Sequence, residues 1–320
     1  MKTFVRHTLA AATFGLASLA ASVHAQEISF GIIATDAASV QRERWEPFFR
    51  DMEKTTGLTV KSFYAPDYAG VIEAMRFNKI QVAWYGNKAA MEAVDRANGE
   101  IFAQVRYKDG SYGYHALLIT HKDSPYKTLD DVLKNSKNIN FGIGDPNSTS
   151  GFLVPTFYVF AQNKVDHRTA FKTIRSASHG ANIQAALAKQ VDVATNNTED
   201  MGKLEANKPE LFQQLRVLWK SPLIPSDPFV FRKDLDPAVK EKVRSFVLNY
   251  ASKDPQEKAI LNKIYDYDGF RPSNNDQLIP IRELELFRDR GRAEADAKLS
   301  ADEKAKLIAE IDRKLAALKK

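Results

Sequence analysis

Residues Ile139-Asn140-Phe141-Gly142-Ile143-Gly144-Asp145-Pro146-Asn147-Ser148-Thr149-Ser150-Gly151 decide the fold. Ile139–Ile143 is a short apolar strand, Asp145–Gly151 is a polar turn, and Phe152–Gln162 continues as a helix. A strand that feeds a helix through a tight polar turn is the repeating unit of a parallel α/β sheet. The same unit recurs upstream. Glu27–Thr35 reads as a strand, and Val40–Thr55 as a helix with Trp45, Phe48, Phe49 and Met52 on one face, stopped by Gly57. Leu58–Tyr64 and Ile80–Trp84 are strands, each followed by a helical stretch, Ala69–Phe77 and Ala89–Ala97. Tyr114–Thr120 opens a second round, with helices at Thr128–Leu133 and Ile183–Lys189 and a strand at Val191–Ala194. The expected product is a pair of parallel, three-layer α/β lobes.

Size and composition agree. The chain has 320 residues, more than one compact domain usually holds, so two lobes are the natural division. Its 44% hydrophobic and 27% charged residues are those of an ordinary globular protein. The net charge of +6 is spread along the chain, which excludes a nucleic-acid-binding arm and mildly favours an anionic ligand. There is no cysteine, so disulfides, thiolate metal sites and cysteine nucleophiles are excluded. Lys2 and Arg6, an apolar run Leu9–Ala21 and the ending Val23-His24-Ala25 read as a cleaved secretory signal peptide over residues 1–25.

Ile80–Asn87 and Val191–Thr198 echo one another, each a short apolar strand ending in polar residues. Ligands of open α/β sheets bind at the carboxyl ends of strands, so both ends point to one cleft. Ser221–Val230 carries Pro222, Pro225 and Pro228 and reads as a stiff crossing between lobes. Past Pro272 the chain is highly charged. Ser300 and Glu303 form a capping box ahead of an apolar stripe, Ile308, Ile311, Leu315 and Leu318, which either packs on its own domain or meets a second copy.

The chemistry concentrates at Ser148, Thr149 and Ser150. Three hydroxyls at a helix start, with free backbone N–H groups and the positive end of the helix dipole, suit a tetrahedral oxyanion without any arginine. A lone N-cap would explain Ser148 and leave the other two hydroxyls unused. Tyr68 follows Pro66-Asp67 outside any apolar period and reads as a binding residue; Trp45, Phe48 and Phe49 read as core. Glu199 and Asp227 both fall near the expected cleft, where a ligand ammonium would compensate a buried carboxylate; Asp227, before Pro228, also suits a turn. His179 alone reads as a structural histidine.

These stretches resemble the periplasmic phosphonate-binding proteins of ABC transporters, the PhnD family. The resemblance rests on Ala65-Pro66-Asp67-Tyr68-Ala69-Gly70, Ala83-Trp84-Tyr85-Gly86-Asn87, Met91–Gly99, Gly144–Pro155 and Asp192–Glu199, and covers most of the chain. It implies a type II periplasmic binding fold: two three-layer α/β lobes joined by a hinge, plus a C-terminal helix. Lobe one would hold residues 26–112 and 224–285, lobe two 113–223, and a charged helical extension 286–320. It further implies an alkylphosphonate ligand, typically 2-aminoethylphosphonate, and a membrane permease with its ATPase as partners. Carried over, Ser148, Thr149 and Ser150 would hold the phosphonate, with Tyr68, Tyr114 and His179 beside it. Glu199 and Asp227 would meet the ammonium. His115 and Gly180 depart from the family pattern and put the tail preference in question. Phosphite, phosphate or methylphosphonate as ligand, or a receptor coupled to a sensor, are the alternatives. A hydrolase is disfavoured: no G-x-S-x-G elbow or His/Asp metal pattern occurs, no catalytic residue, metal or cofactor is expected, and two of the six histidines lie in the leader.

Overall fold

The computed structural model describes residues 26–319, and the leader reading of residues 1–25 lies outside them. Its strands are β1 (Glu27–Ile32), β2 (Thr59–Tyr64), β3 (Val82–Trp84), β4 (Gly99–Tyr107), β5 (Gly113–Tyr114), β6 (Ala116–His121) and β7 (Asn140–Ile143). β8 (Thr173–Ser176), β9 (Val193–Asn197), β10 (Leu215–Lys220), β11 (Ile224–Pro225), β12 (Pro228–Arg232) and β13 (Tyr267–Pro272) complete the set. They form a six-stranded sheet in the order β13-β4-β12-β3-β1-β2 and a five-stranded sheet in the order β10-β6-β9-β7-β8. Between the two, β5 and β11 pair antiparallel, so the chain passes from the first sheet to the second and back through two strands lying side by side. Gly113 is needed there, because a Cβ would sit 1.9 Å from the Ile224 carbonyl oxygen.

The sheets are mixed, which corrects the expectation of purely parallel ones. Parallel pairing holds for β1 with β2 and β3, and for β7 with β8 and β9, where helical crossovers impose it. β6 and β12, the strands that follow the two passages, run antiparallel to their neighbours β9 and β3. A chain arriving from the other lobe has no crossover helix to fix its direction. The proline-rich crossing is likewise shorter than expected. Pro228 opens the fully buried strand β12, which proline tolerates at a first position. The strand β4, unassigned from sequence, lies behind the Asn98-Gly99 stop.

The first lobe's core is aromatic. Trp45, Phe48 and Phe49 on helix Ala38–Thr56 are buried as their spacing predicts, against Phe30, Trp84 and Phe229. Gly57, with φ at 70°, closes that helix in the left-handed region. Smaller aliphatic clusters fill the second lobe on both faces of its sheet, one around Ile119 and Ile183, the other around Phe141 and Phe160.

The C-terminal region is less separate than the sequence suggests. Helix Ile279–Ala295 begins before residue 286 and lies against both lobes. It touches the first through a bidentate Arg282–Asp95 pair and a Lys88–Glu285 pair at 3.1 Å. It touches the second through Phe287, whose ring is 6.4 Å from that of Phe157. Helix Ala301–Leu318 folds back on it, and Ile311 and Leu315 are buried there, so the apolar stripe packs within its own chain. The capping box of Ser300 and Glu303 forms as expected. Removing the chain after Asp296 should therefore leave ligand affinity within about twofold. Losing two buried side chains at roughly 1.5–3 kcal/mol each should lower the melting temperature by several degrees. Calorimetry and thermal unfolding of the truncated protein check both, and a large affinity loss would contradict this placement.

Candidate functional site

The turn that opened the sequence reading closes on itself through two glycines. Gly144 N–H donates to the Gly151 carbonyl at 2.9 Å, and a Cβ on Gly144 would lie 2.5 Å from the Gly151 Cα. Nothing larger fits. The helix starts at Thr149, three residues earlier than expected, with Ser148 as N-cap: its hydroxyl accepts from Gly151 N–H at 3.0 Å. The following turns, Thr149–Leu153 and Thr156–Ala161, are wide π turns that flank Pro155, whose ring supplies no N–H. Ser148, Thr149 and Ser150 are all buried at this helix start.

A small cavity lies in front of it, about 10 Å³, the room of roughly one water molecule. All eight residues singled out from the sequence line it: Tyr68, Tyr114, Ser148, Thr149, Ser150, His179, Glu199 and Asp227. The His179 Nε2 stands 3.3 Å from the Ser148 hydroxyl and 3.4 Å from that of Ser150. Burial holds its pKa below the ordinary value, and its Nδ1 has no hydrogen-bond partner. The Thr149 hydroxyl accepts from Lys88 N–H at 2.9 Å. Lys88 is in the first turn of helix Asn87–Arg96 of the other lobe, so two helix starts face each other across the cavity.

The opposite wall is acidic. Tyr107 and Tyr267, both from the first sheet, donate to Glu199 Oε1 at 2.9 and 3.0 Å. Asp227 is buried between Asn87, 3.5 Å away, and the hydroxyl of Tyr114. Burial pushes Glu199 up to about 8, and burial followed by the Glu199 charge pushes Asp227 well above the usual carboxylate range. Asp200 is a third buried carboxylate, raised by burial, that the sequence reading missed although it adjoins Glu199. Asn197 Nδ2 donates to it at 3.0 Å, and the Tyr265 hydroxyl approaches to 3.4 Å. No lysine or arginine is among the residues lining the cavity. Hydroxyls and helix starts thus stand on one side of the cavity, and three buried carboxylates on the other.

A family model described as the periplasmic substrate-binding protein of phosphonate ABC transporters matches residues 30–278. The chain belongs to that family. The Phosphonates-binding periplasmic protein of Escherichia coli is 48% identical over 94% of this chain and 90% of its own length. A binding-protein component of an ABC phosphonate transporter from Pseudomonas aeruginosa superposes with a TM-score of 0.90 at 51% identity, covering 92% of this chain and 97% of that one. A methylphosphonate complex from Prochlorococcus marinus, at 22% identity and a TM-score of 0.72, shares the fold over 82% of this chain and 98% of that one. This phosphonate-binding protein is thus the periplasmic substrate-capturing component of a transporter, not an enzyme.

The two departures from the family pattern resolve differently. His115 turns away from the cavity of the phosphonate-binding protein, its Nδ1 lying 2.8 Å from the Ser221 carbonyl beside the passage strands. Gly180 sits where the lobes meet. Its N–H donates to the Thr35 carbonyl at 3.2 Å, and a Cβ would stand 2.4 Å from Asp36 Oδ1. A leucine at Gly180 should therefore prop the cleft and weaken every phosphonate about tenfold or more, whatever its tail. Changing Asp36 to Gly in the same protein should restore part of the loss. Calorimetry with two phosphonates of different length checks this, and an unchanged affinity in Gly180→Leu would contradict the contact.

Proposed function

We propose that this periplasmic protein captures 2-aminoethylphosphonate in preference to other alkylphosphonates and presents it to the permease and ATPase of its transporter. The observation that carries the tail assignment is the cluster of Glu199, Asp200 and Asp227 in a cavity lined by no cationic lysine or arginine. Buried carboxylates are costly unless paired, and a ligand ammonium is the partner this wall lacks. The phosphonate would dock on Ser148, Thr149 and Ser150 with His179 behind them, and its tail would run towards Glu199 and Asp227. Tyr68 and Tyr114 would complete the wall between.

The lobes, residues 26–112 with 224–285 and residues 113–223, would turn about the β5–β11 pair. A ligand shifts the open–closed balance only by its different affinity for the two states. Contacts from both lobes converge on the cavity, whose room for about one water molecule means that the lobes would part further to admit the ligand and close upon it. Residues 1–25 would direct export and be removed.

Calorimetry of the mature protein against 2-aminoethylphosphonate, ethylphosphonate, methylphosphonate, phosphite and phosphate tests the assignment. 2-Aminoethylphosphonate should bind at least a hundredfold more tightly than ethylphosphonate, which has the same carbons without the ammonium. Equal affinities would leave a general phosphonate receptor, and tighter phosphite or phosphate would replace the assignment.

A further inference from the structure

Helix Thr198–Asn207 carries Glu199 and Asp200 in its first turn, and besides Tyr107 its polar partners in the other lobe fall in one short segment, Lys263–Tyr267. Glu199 accepts from Tyr267, and Asp200 is approached by the Tyr265 hydroxyl. One turn further on, Lys203 Nζ donates to the carbonyls of Lys263 and Ile264 at 2.7 and 2.8 Å. Those carbonyls belong to the last turn of helix Pro255–Tyr265, which ends at Asp266 in the left-handed conformation. The last carbonyls of a helix have no partner within it and carry its negative end, so a cation there satisfies both needs. The Lys203 ammonium also lies 5.1 Å from the centre of the Tyr265 ring. Unlike Glu199 and Asp200, Lys203 does not line the ligand cavity.

We propose that Lys203 is a positioning residue for ligand capture: by seating on the carbonyl end of helix Pro255–Tyr265 it fastens helix Thr198–Asn207 to the other lobe when the lobes close, whichever phosphonate lies between them. The reading rests on closure about the β5–β11 pair, and not on which phosphonate is preferred. Burial and the neighbouring Arg44 push the lysine down to about 7. As the neutral amine it still has two N–H donors for the two carbonyls.

The test replaces Lys203 by Met, which keeps the stem and removes the donors, and by Arg, which keeps the cation. Stopped-flow binding of methylphosphonate and of 2-aminoethylphosphonate is measured for each. In Lys203→Met both ligands should dissociate about tenfold faster, by the same factor. Association rates and the melting temperature of the ligand-free protein should stay unchanged, and Lys203→Arg should recover most of the loss. Wild-type dissociation rates in Lys203→Met would overturn the proposal. So would a loss confined to one ligand, or one that follows a lowered melting temperature. If the wild-type protein proves to prefer methylphosphonate, the aminophosphonate assignment falls while the common factor still tests Lys203.

Discussion

Changing Glu199 to Gln should weaken 2-aminoethylphosphonate by about 2–5 kcal/mol, while ethylphosphonate binds as before or more tightly. The amide keeps the shape and can still accept from Tyr107 and Tyr267, which are 2.9 and 3.0 Å from Glu199 Oε1. What it removes is the charge that, on the proposed reading, would face the ammonium. Ethylphosphonate, in contrast, gains from losing a carboxylate that must be buried without a partner. The pH dependence has a defined sign. Under ethylphosphonate Glu199 keeps its raised pKa of about 8, so closure takes up a proton. That closure is easiest below the ordinary carboxylate pKa and becomes harder as pH rises towards about 8. With the ammonium present the carboxylate stays ionised and no such penalty grows. Preference for the amino ligand should therefore climb with pH, by up to about tenfold per unit, and the climb should shrink in Glu199→Gln to what the raised Asp227 and Asp200 carboxyls contribute. The variant also serves as control for the ligands' own titration, which is common to both proteins. Two ligands responding to the substitution by one factor would detach Glu199 from the amine.

Replacing Thr149 and Ser150 together by alanine should weaken every phosphonate, amino or not, by roughly a hundredfold to ten-thousandfold. Hydrogen bonds to a charged group are worth about 1.5–3 kcal/mol each, and two are lost. Thr149 adds a second effect, because its hydroxyl accepts from Lys88 N–H of the opposite lobe. The Ser148 N-cap remains, so the helix start should survive, and circular dichroism checks that it does. Calorimetry on the panel of phosphonates then reads the loss. A double variant with wild-type affinity would show that the hydroxyls serve only the fold.

What the sequence made legible was local. The apolar face of residues 45, 48, 49 and 52, the Ser300–Glu303 box and the Ser148-Thr149-Ser150 turn each sit within a few residues of one another, and each formed. The eight candidate residues converge on one cavity because strand ends converge in this architecture. The partners of Glu199 were not legible. Tyr107 and Tyr267 lie 92 and 68 positions from it, on strands whose antiparallel order no short window reveals. Asp200 was hidden for another reason: an acidic residue in a first helical turn is ordinary, and only burial marks it out. The C-terminal stripe left two readings open, packing on its own chain or on a second copy, because charge and an apolar stripe describe both equally well; burial of Ile311 and Leu315 supports the first.

The two helix starts that meet at the Lys88–Thr149 contact have a further consequence. Each carries about half a positive charge, and closing the lobes presses like ends together. Helix Asn87–Arg96 and the helix behind Ser148 would then act as a weak spring against the single Lys88–Thr149 hydrogen bond, favouring the parted state. A doubly negative headgroup placed between them reverses the sign of that force, as a counter-ion does between two like-charged plates. On the proposed reading, the same atoms that would recognise the anion would disfavour shutting on water, and the permease would be spared a closed shape that carries no cargo.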